Sequence, residues 1–312
     1  MSTLLLAALA LQSPTPAAPP APKWPVALPA ERHGHRIEVL NGGLLSFGGF
    51  GDPGAEDREQ RQTWWLAPGA DQWVRRADMG RTRAFFGSAR IGDAVFAIGE
   101  SVEQYDFARD AWSEIVPAGR LPRSHFDVAT VGHEVFAIGG YGGSEAALFI
   151  VDTKQRAVRT EPPPPDFGAG DHFHLVVALR GELHVVGGLD GETFEPKREH
   201  WVRGKDGWRA LPPPPAPLWA KFGAHGVIGE VGPLGESLYV FEEQSAWRYD
   251  SKTEKWTRTT PLGVQLVMPG VAADGRSLTL VGGMQVDEPD ARVLLRFTPM
   301  GETWQSLTPK SK

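Results

Sequence analysis

The sequence predicts an all-β protein, and three observations support that prediction. Glycine and proline are frequent, with 37 and 27 residues in a chain of 312. Apolar runs are short, and long stretches with helical periodicity are absent. A short apolar strand that ends at a glycine pair recurs along the chain. Many short strands separated by glycine and proline are typical of folds built only from β-sheets.

The repeated unit is clearest at residues 124–140, SHFDVATVGHEVFAIGG, which predict two strands joined by a tight turn. The glycine pair that ends this unit recurs in full at Gly48-Gly49, Gly139-Gly140, Gly187-Gly188 and Gly282-Gly283. It recurs in part at Gly99-Glu100 and Phe241-Glu242. Successive pairs lie between 40 and 54 residues apart. This interval is in the range of one blade of a repeat propeller.

A second pattern follows each glycine pair. Aromatic or apolar residues before Asp predict a third strand at Tyr105-Asp106, Val151-Asp152 and Tyr249-Asp250. A fourth strand then opens at Trp73, Trp112, Trp208, Trp256 and Trp304, with Val158 in the third unit. This succession resembles the kelch family over roughly residues 33–308. The resemblance implies a six-bladed β-propeller with four antiparallel strands in each blade, stacked into a closed ring.

The N-terminal residues are expected to lie outside the propeller. Leu4–Leu11 has the length of a signal-peptide core, and Ala8-Leu9-Ala10 has the form of a cleavage site. No Lys or Arg precedes this segment, so a disordered apolar tail is the alternative. The expected organisation is a signal peptide at 1–12, a Pro/Ala-rich linker at 13–22 and one propeller at 23–312. It predicts a periplasmic or secreted protein.

Three further segments have two interpretations each. The segment Trp24–Pro29 looks like a fourth strand that pairs with the first or last blade and closes the ring, or it is a linker. The proline runs at 162–165 and 212–215 are expected to be stiff connectors between blades, because proline has no N–H to leave unpaired. The alternative for these runs is a ligand for SH3-type domains.

Composition excludes several classes of function. The net charge is −6 and the acidic residues are scattered, so no basic surface for nucleic acid is expected. Cysteine is absent, which excludes disulfides, thiolate catalysis and cysteine-ligated zinc. No phosphate-binding loop, Gly-x-Ser-x-Gly elbow or His-Glu-x-x-His motif is present. We expect no cofactor, no membrane span and a monomer.

The kelch resemblance implies that two sets of loops open on one face of the ring, where ligands dock. These are the loop before the first strand of each blade and the loop after the glycine pair. The candidate ligand-binding residues in these loops are His33, Arg83, Arg123, His125, Tyr141, His172, Asp190, Lys221 and Glu243. Asp52, Glu103 and Gln285 occupy the same loops.

Two His-x-His pairs, His33 with His35 and His172 with His174, are possible starts of a metal site. Alternation along a strand predicts that both imidazoles of a pair lie on one side. The resemblance instead implies a structural role for His35 and His174, which leaves only one histidine of each pair for a ligand. We expect no metal.

Glu100 and Glu242 replace the second glycine of the pair in two blades, which predicts a changed turn there. If the protein is an enzyme, these carboxylates are the candidate acid and base, together with Arg83 and Arg123. The favoured interpretation is that both are solvated residues at the rim. The sequence therefore predicts an exported, non-catalytic propeller that binds a protein or glycan on its loop face. The alternative is a periplasmic sugar epimerase or mutarotase, from a resemblance to the kelch-type sialic acid mutarotase of bacteria.

Overall fold

The computed structural model describes residues 28–30, 32–51, 59–141, 145–219, 224–229, 235–285, 294–299 and 301–306. The regular elements in these ranges are β-strands. None of the described residues belongs to a helix long and apolar enough to cross a bilayer.

Six sheets of four antiparallel strands follow one another along the chain. Blade 1 contains β1 (Arg36–Leu40), β2 (Gly43–Phe47), β3 (Thr63–Leu66) and β4 (Val74–Arg76); blade 2 contains β5 (Gly87–Ile91), β6 (Ala94–Ile98), β7 (Val102–Asp106) and β8 (Ala111–Val116); blade 3 contains β9 (Phe126–Val131), β10 (Glu134–Gly139), β11 (Leu148–Asp152) and β12 (Ala157–Glu161). Blade 4 contains β13 (Leu175–Leu179), β14 (Glu182–Val186), β15 (His200–Gly204) and β16 (Gly207–Ala210); blade 5 contains β17 (Ala224–Ile228), β18 (Ser237–Phe241), β19 (Ala246–Asp250) and β20 (Lys255–Arg258). Blade 6 contains β22 (Gly270–Ala273), β23 (Leu278–Val281), β25 (Leu294–Thr298) and β26 (Thr303–Ser306), and a two-stranded ribbon joins β21 (Leu266–Val267) to β24 (Met284–Gln285).

The predicted all-β propeller of six four-stranded blades is confirmed. In each blade every strand pairs with its neighbour in sequence, so no strand is exchanged between blades. The glycine pairs follow the second strands, as predicted, and the fourth strands carry the tryptophans at or just after their first residue, or just before it at Trp73.

The hydrophobic core lies between the blades. Within the described residues, the buried apolar side chains form six clusters, one at each junction of two neighbouring blades. The fourth-strand tryptophans pack into the junction with the preceding blade; they are Trp73, Trp112, Trp208, Trp256 and Trp304. Val158 takes the same place between blades 2 and 3. Each blade buries its two apolar faces only when both neighbours are present, which explains why the units form a ring.

The proline runs connect blades, as predicted, and also anchor the tryptophans. The indole N–H of Trp208 donates to the Pro162 carbonyl at 3.1 Å, and that of Trp256 donates to the Pro212 carbonyl at 3.1 Å. Trp112 makes the corresponding bond to Thr63 Oγ1 at 3.0 Å. These half-buried indoles are thereby tied to the preceding blade through their polar N–H as well as through their rings.

The ring closes where β22 of blade 6 packs against β1 of blade 1. Leu28 is buried in the cluster at this junction, beside Ile37 and Val281. The end of the segment predicted to help close the ring therefore contributes an apolar side chain there. Trp24, like the predicted signal peptide and linker, lies outside the described residues.

The glycine pairs have backbone conformations that favour glycine. Gly49 and Gly188 have φ of +93° and +95°. A Cβ on Gly188 would lie 2.6 Å from the His174 ring, and one on Gly49 would lie 2.6 Å from the Cβ of His35. Glu100 and Glu242 stand at this position in blades 2 and 5 and have no such positive φ. The predicted change of turn in these two blades is therefore confirmed.

Candidate functional site at the loop face and central channel

The loop that precedes the first strand of each blade, here called the leading loop, runs beside the central axis. In five blades this loop contains a residue with positive φ; these are Gly34, Phe85, His125, Phe173 and Met268. Backbone hydrogen bonds of 2.7 to 3.1 Å link them in series, from Phe173 to His125, Phe85, Gly34 and Met268. The corresponding stretch of blade 5, residues 220–223, lies outside the described residues.

The left-handed conformation is unfavourable for a bulky residue, by about 1 kcal/mol or more for each. Phe85, His125 and Phe173 adopt it with φ between +53° and +64°. The interblade hydrogen bonds fix this geometry, and it holds three aromatic rings around the mouth of the channel. Strain of this kind is common at binding sites, where the surrounding structure fixes a side chain in one position.

Eight rings form a continuous group on the loop face, which we call the aromatic arc. Its members are His33, Phe50, Phe85, His125, Tyr141, His172, Phe173 and Phe194. Neighbouring ring centroids in the arc are 4.8 to 6.2 Å apart, the range in which aromatic rings attract one another. The arc extends over the loops of blades 1 to 4. Tyr141 and Phe194 are its most exposed members, at 59% and 51%.

The arc contains four of the predicted ligand-binding residues, His33, His125, Tyr141 and His172. His125 Nδ1 is 2.7 Å from Ser124 Oγ, and His172 Nδ1 is 3.0 Å from the Gly170 carbonyl. Burial lowers the pKa of His33 below its usual value. The structure thus groups these four rings from three different blades, with Tyr141 exposed, His33 and His125 half-buried and His172 buried.

The two imidazoles of each His-x-His pair have different surroundings. His33 stacks on Phe50 in the arc, whereas His35 is buried between blades 1 and 6 against Gly270. His172 likewise belongs to the arc, and His174 packs on Phe167. The positive φ of Gly34 and Phe173 breaks the alternation on which the prediction of a shared side depended. Among the described residues, no group of three His, Asp or Glu side chains is placed to hold a metal ion.

Arg83 is buried beneath the loop face. Its guanidinium donates to Ser101 Oγ at 2.8 Å and forms an ion pair with Glu103 Oε1 at 2.9 Å. Both charged side chains are at most 5% exposed. They therefore hold the loops of blade 2 in place, and neither presents its charge at the surface.

Three of the four candidate catalytic residues, Arg83, Glu100 and Arg123, line one pocket. With Glu59 and Arg81 they line a cavity of about 260 Å³ between blades 1, 2 and 3. The charges are paired there, Arg81 with Glu100 at 3.4 Å and Arg123 with Glu59 at 3.1 Å. Glu242 does not line this pocket; it lies in blade 5 and bonds to Ser245.

The remaining predicted residues lie outside the arc. Asp190 Oδ1 accepts hydrogen bonds from the backbone N–H groups of Thr193 at 2.8 Å and Glu192 at 3.0 Å, and these bonds lower the pKa of Asp190. It therefore shapes the turn that presents Phe194. Glu243 is exposed in blade 5, and Lys221, like Asp52, lies outside the described residues.

Sequence reasoning missed a polar group inside the channel. Below the mouth is an open cavity of about 220 Å³, and Arg36, Glu38, Asp127 and His225 are among its lining residues. His225 Nε2 lies 2.8 Å from Asp127 Oδ2, and Arg36 Nη2 lies 3.8 Å from Asp127 Oδ1. The Val176 N–H also donates to Asp127 Oδ2, at 3.1 Å. Side chains from blades 1, 3 and 5 thus meet at the axis.

The pKa values of the two channel carboxylates, Asp127 and Glu38, are shifted in opposite directions. Burial alone would raise the pKa of Asp127, but His225, Arg36 and the Val176 N–H outweigh it and hold that pKa below its usual value. Burial raises the pKa of Glu38, although the Ser88 hydroxyl, Arg36 and Arg90 act in the other direction. One channel carboxylate is therefore stabilised in its charged form, and the other is not.

A signal for the channel group does exist in the sequence, at one register of the first strands. Arg36 pairs with Phe47, Asp127 with Ile138 and His225 with Val240, and each partner directly precedes the glycine-pair position. Alternate blades thus carry a polar side chain at the same height. Aligning the first strands through their pairing with the second strands would have revealed it.

Comparison with known proteins agrees with this architecture. The chain is 32% identical over 123 residues to Kelch repeat-containing protein kel-10 of Caenorhabditis elegans, which covers 35% of this chain and 20% of that protein. It is 28% identical over 206 residues to Kelch-like protein 34 of Homo sapiens, covering 64% and 31%. It is 23% identical over 282 residues to Kelch-like protein 15 of Danio rerio, covering 78% and 44%. No protein-family model matches the chain.

The fold and these similarities define the class of protein: a ring of six four-stranded blades marked by glycine pairs and fourth-strand tryptophans. The chain is a kelch-repeat β-propeller. It spans between 20% and 44% of the length of the three relatives named above.

Proposed function

We propose that the chain is an exported kelch propeller that binds a protein or glycan ligand on its loop face, with the aromatic arc as the contact surface. The observation that supports this most strongly is the exposure of Tyr141 and Phe194 at 59% and 51%, within a continuous group of eight rings. Exposed aromatic rings grouped on a rigid scaffold are typical of interaction surfaces. The blades beneath keep the rings in place, so little ordering is needed on binding.

A protein is favoured over a glycan because of the extent of the arc. It passes over the loops of four blades, and a surface of that breadth suits an extended segment of a partner better than one sugar ring. The half-buried His33 and His125 add donors and acceptors between the apolar rings, which gives such a surface some specificity.

The test is a selection for binders on the full chain. A phage-displayed library of random peptides and a panel of immobilised oligosaccharides are screened against wild type and against a Tyr141→Ser/Phe194→Ser variant. Val74→Ser is the matched control, because Val74 is 56% exposed but lies on the outer strand β4. We expect enriched peptides that lose at least about tenfold in affinity on the double variant and nothing on the control.

Two other outcomes change the proposal. Oligosaccharides that bind through the same two rings would identify a glycan ligand on the proposed surface. Ligands that bind wild type and the double variant equally would place the docking site elsewhere and contradict the role of the arc.

Export is supported by the apolar segment Leu4–Leu11 and the small residues at Ala8 and Ala10. The full chain is expressed in a Gram-negative bacterium, and the intact mass of the protein released by osmotic shock is measured. We expect a product that lacks the N-terminal apolar segment. An unprocessed chain confined to the cytoplasmic fraction would contradict export in that host.

A second candidate function is a sugar epimerase or mutarotase. It is favoured by the pocket in which Glu100 lies with Arg83 and Arg123. Exchange between the anomers of a panel of monosaccharides is followed by NMR for wild type, Glu100→Gln and Glu242→Gln. An acceleration that only Glu100→Gln abolishes supports this function, and no acceleration by wild type removes it.

A further inference from the structure

The channel contains one carboxyl group that has no cation paired with it. Of the two carboxylates in the upper cavity, Asp127 has His225, the Val176 N–H and Arg36 as partners. Glu38 accepts one hydrogen bond, from Ser88 Oγ at 2.6 Å. No described cation lies within ion-pair distance of it.

Glu38 also has a central position along the channel. It lines the upper cavity of about 220 Å³ and a second cavity of about 470 Å³ on the other side of the ring. Ser88 is shared by both cavities as well. Glu38 therefore stands where the two cavities meet, and a group entering from either face reaches it.

The other charges of the channel do not neutralise Glu38. Arg36 donates from Nε to the Phe86 carbonyl and has Nη2 beside Asp127, so it acts on Glu38 only from beyond ion-pair distance. Arg90 donates to the Val39 carbonyl at 2.6 Å. The titratable or charged side chains lining the two cavities around Glu38 are His35, Arg36, Arg90, His125, Asp127, His174, His225 and Asp274. Burial raises the pKa of Glu38 despite the two arginines, so the charged form lacks sufficient compensation.

The route to Glu38 from the loop face passes between aromatic rings. Phe85, His125 and Phe173 line the mouth of the same cavity, held there by the interblade backbone bonds of the leading loops. The faces of such rings attract cations. An uncompensated carboxyl below a rim of rings is an arrangement that suits a positively charged hydrogen-bond donor.

We propose that the central channel is a binding site for an organic cation, a primary ammonium or guanidinium group on a short alkyl stem, with Glu38 as its anchor. The upper cavity, at about 220 Å³, is smaller than the roughly 300–1,000 Å³ of sites for drug-sized ligands, so a ligand that enters from the loop face is the size of one side chain. This site stands independently of the docking surface proposed above, although the mouth of the channel opens between rings of the arc.

Two sources supply this chemistry: a Lys or Arg side chain of a protein docked on the loop face, or a free small amine. Capped pentapeptides with a central Arg, Lys or norleucine distinguish them from n-butylamine. Binding of the basic peptides with higher affinity than the free amine, lost in the norleucine peptide, identifies a side chain of a partner. Equal affinity for peptide and amine identifies a free amine as the ligand.

The first experiment varies only the charge of the probe. Binding of n-butylamine, n-butylguanidine, n-butanol and butyrate to the full wild-type chain is measured by NMR line broadening and by calorimetry. We expect the two cations to bind at least about tenfold more tightly than the alcohol, and butyrate not to bind. If the alcohol binds as well as the amine, or butyrate binds best, the proposal is wrong.

The second experiment tests the anchor. Glu38→Gln is compared with Glu114→Gln, which removes the same charge from a side chain that is 42% exposed on β8. We expect the cation affinity to fall about tenfold or more only for Glu38→Gln. Equal affinities in wild type and Glu38→Gln would overturn the assignment of Glu38. If Glu38→Gln does not fold, the charge series on wild type still decides whether a cation site exists.

A third measurement tests the coupling to protonation. Because burial raises the pKa of Glu38, a bound cation lowers it and displaces protons from the fraction that is protonated. Calorimetry of butylamine binding to wild type near pH 5, in two buffers of different ionisation enthalpy, measures proton release. We expect proton release that diminishes as the pH rises. Proton uptake near pH 5 would contradict the proposal.

Discussion

The loop face and the interior of the ring use polar side chains in opposite ways. On the loop face, the arc residues contact one another mainly as tilted and edge-to-face ring pairs, and Tyr141 and Phe194 are exposed. In the interior, groups such as Asp127 and His200 are buried and held by partners from other strands. Changing an interior group is therefore expected to alter stability, whereas changing an exposed ring is expected to alter binding on the proposed contact surface.

The largest effect is expected from the buried histidines when the pH falls. Burial lowers the pKa of His35, His174 and His200 to about 3 and that of His184 to about 4. Above pH 6.5 these rings are neutral in both the folded and the unfolded chain, so they have no effect. Below pH 6.5 the unfolded chain binds protons that the folded chain excludes, and the free energy of unfolding falls until the folded pKa values are reached.

At pH 4.5 each of these histidines lowers stability by roughly 2–3 kcal/mol. Urea unfolding between pH 7.5 and 4.5 measures the decline. A His200→Phe variant should take up about one proton fewer on unfolding at pH 5 than wild type. His133→Asn is the control, since His133 is 43% exposed. An unfolding free energy that is constant over this range would contradict the prediction.

A methyl group at the second glycine of a pair is expected to have the next largest effect. Gly188→Ala places a Cβ 2.6 Å from the buried His174 ring at a φ of +95°. Steric overlap and backbone strain together should cost about 3 kcal/mol. Gly181→Ala is the matched control, because its φ is +78° and nothing lies within 4 Å of the added Cβ.

Gly181→Ala should therefore cost only the backbone strain, about 1 kcal/mol. Thermal unfolding of the two variants and wild type measures the difference. Equal losses would show that the contact with His174 is relieved by movement of the ring, and that the interior is less rigid than the structure indicates.

The channel charges are expected to contribute less, but clearly more than the loop face. Asp127→Ala removes the acceptor for the Val176 N–H and for His225 and leaves Arg36 without its counter-charge. We expect a loss of about 2 kcal/mol, because the Val176 N–H and His225 lose their common acceptor in a site that is mostly shielded from water. Asp127→Asn keeps an acceptor oxygen and should lose about half as much. Urea midpoints of the two variants test this order, and a larger loss for Asp127→Asn would contradict it.

The sequence predicted the blades because their signals are local. Glycine pairs, tyrosine before Asp and fourth-strand tryptophans each report the conformation or packing of one strand, and each falls where the structure has it. The side on which a histidine points was less predictable. Gly34 and Phe173 have positive φ, which breaks the alternation expected along a strand. The two histidines of each His-x-His pair therefore have different surroundings.

The channel group was not predicted because it depends on contacts between distant blades. Asp127 and His225 are separated by 98 residues in the chain and meet only when the ring closes. Arg83 and Glu103 show the same limit. Both were expected in loops on the ligand face, but Glu103 lies in β7, and the two charges pair and are buried. The arc lies between these cases. Four of its rings were predicted from loop position, but Phe50, Phe85, Phe173 and Phe194 were missed because phenylalanines in a β-protein usually belong to the core.

The smallest change in stability is expected at the exposed end of the arc. Tyr141→Ser and Phe194→Ser remove rings that are more than half exposed, so each should change the unfolding free energy by no more than about 0.5 kcal/mol. Urea unfolding of both variants, beside Gly188→Ala and Asp127→Ala, measures this. The contrast between interior and loop face holds if interior substitutions lower the unfolding free energy, whereas Tyr141→Ser keeps that free energy and loses ligand affinity. A loss of 2 kcal/mol or more for Tyr141→Ser would mean that the arc is part of the core of the ring and that its rings serve folding instead of recognition.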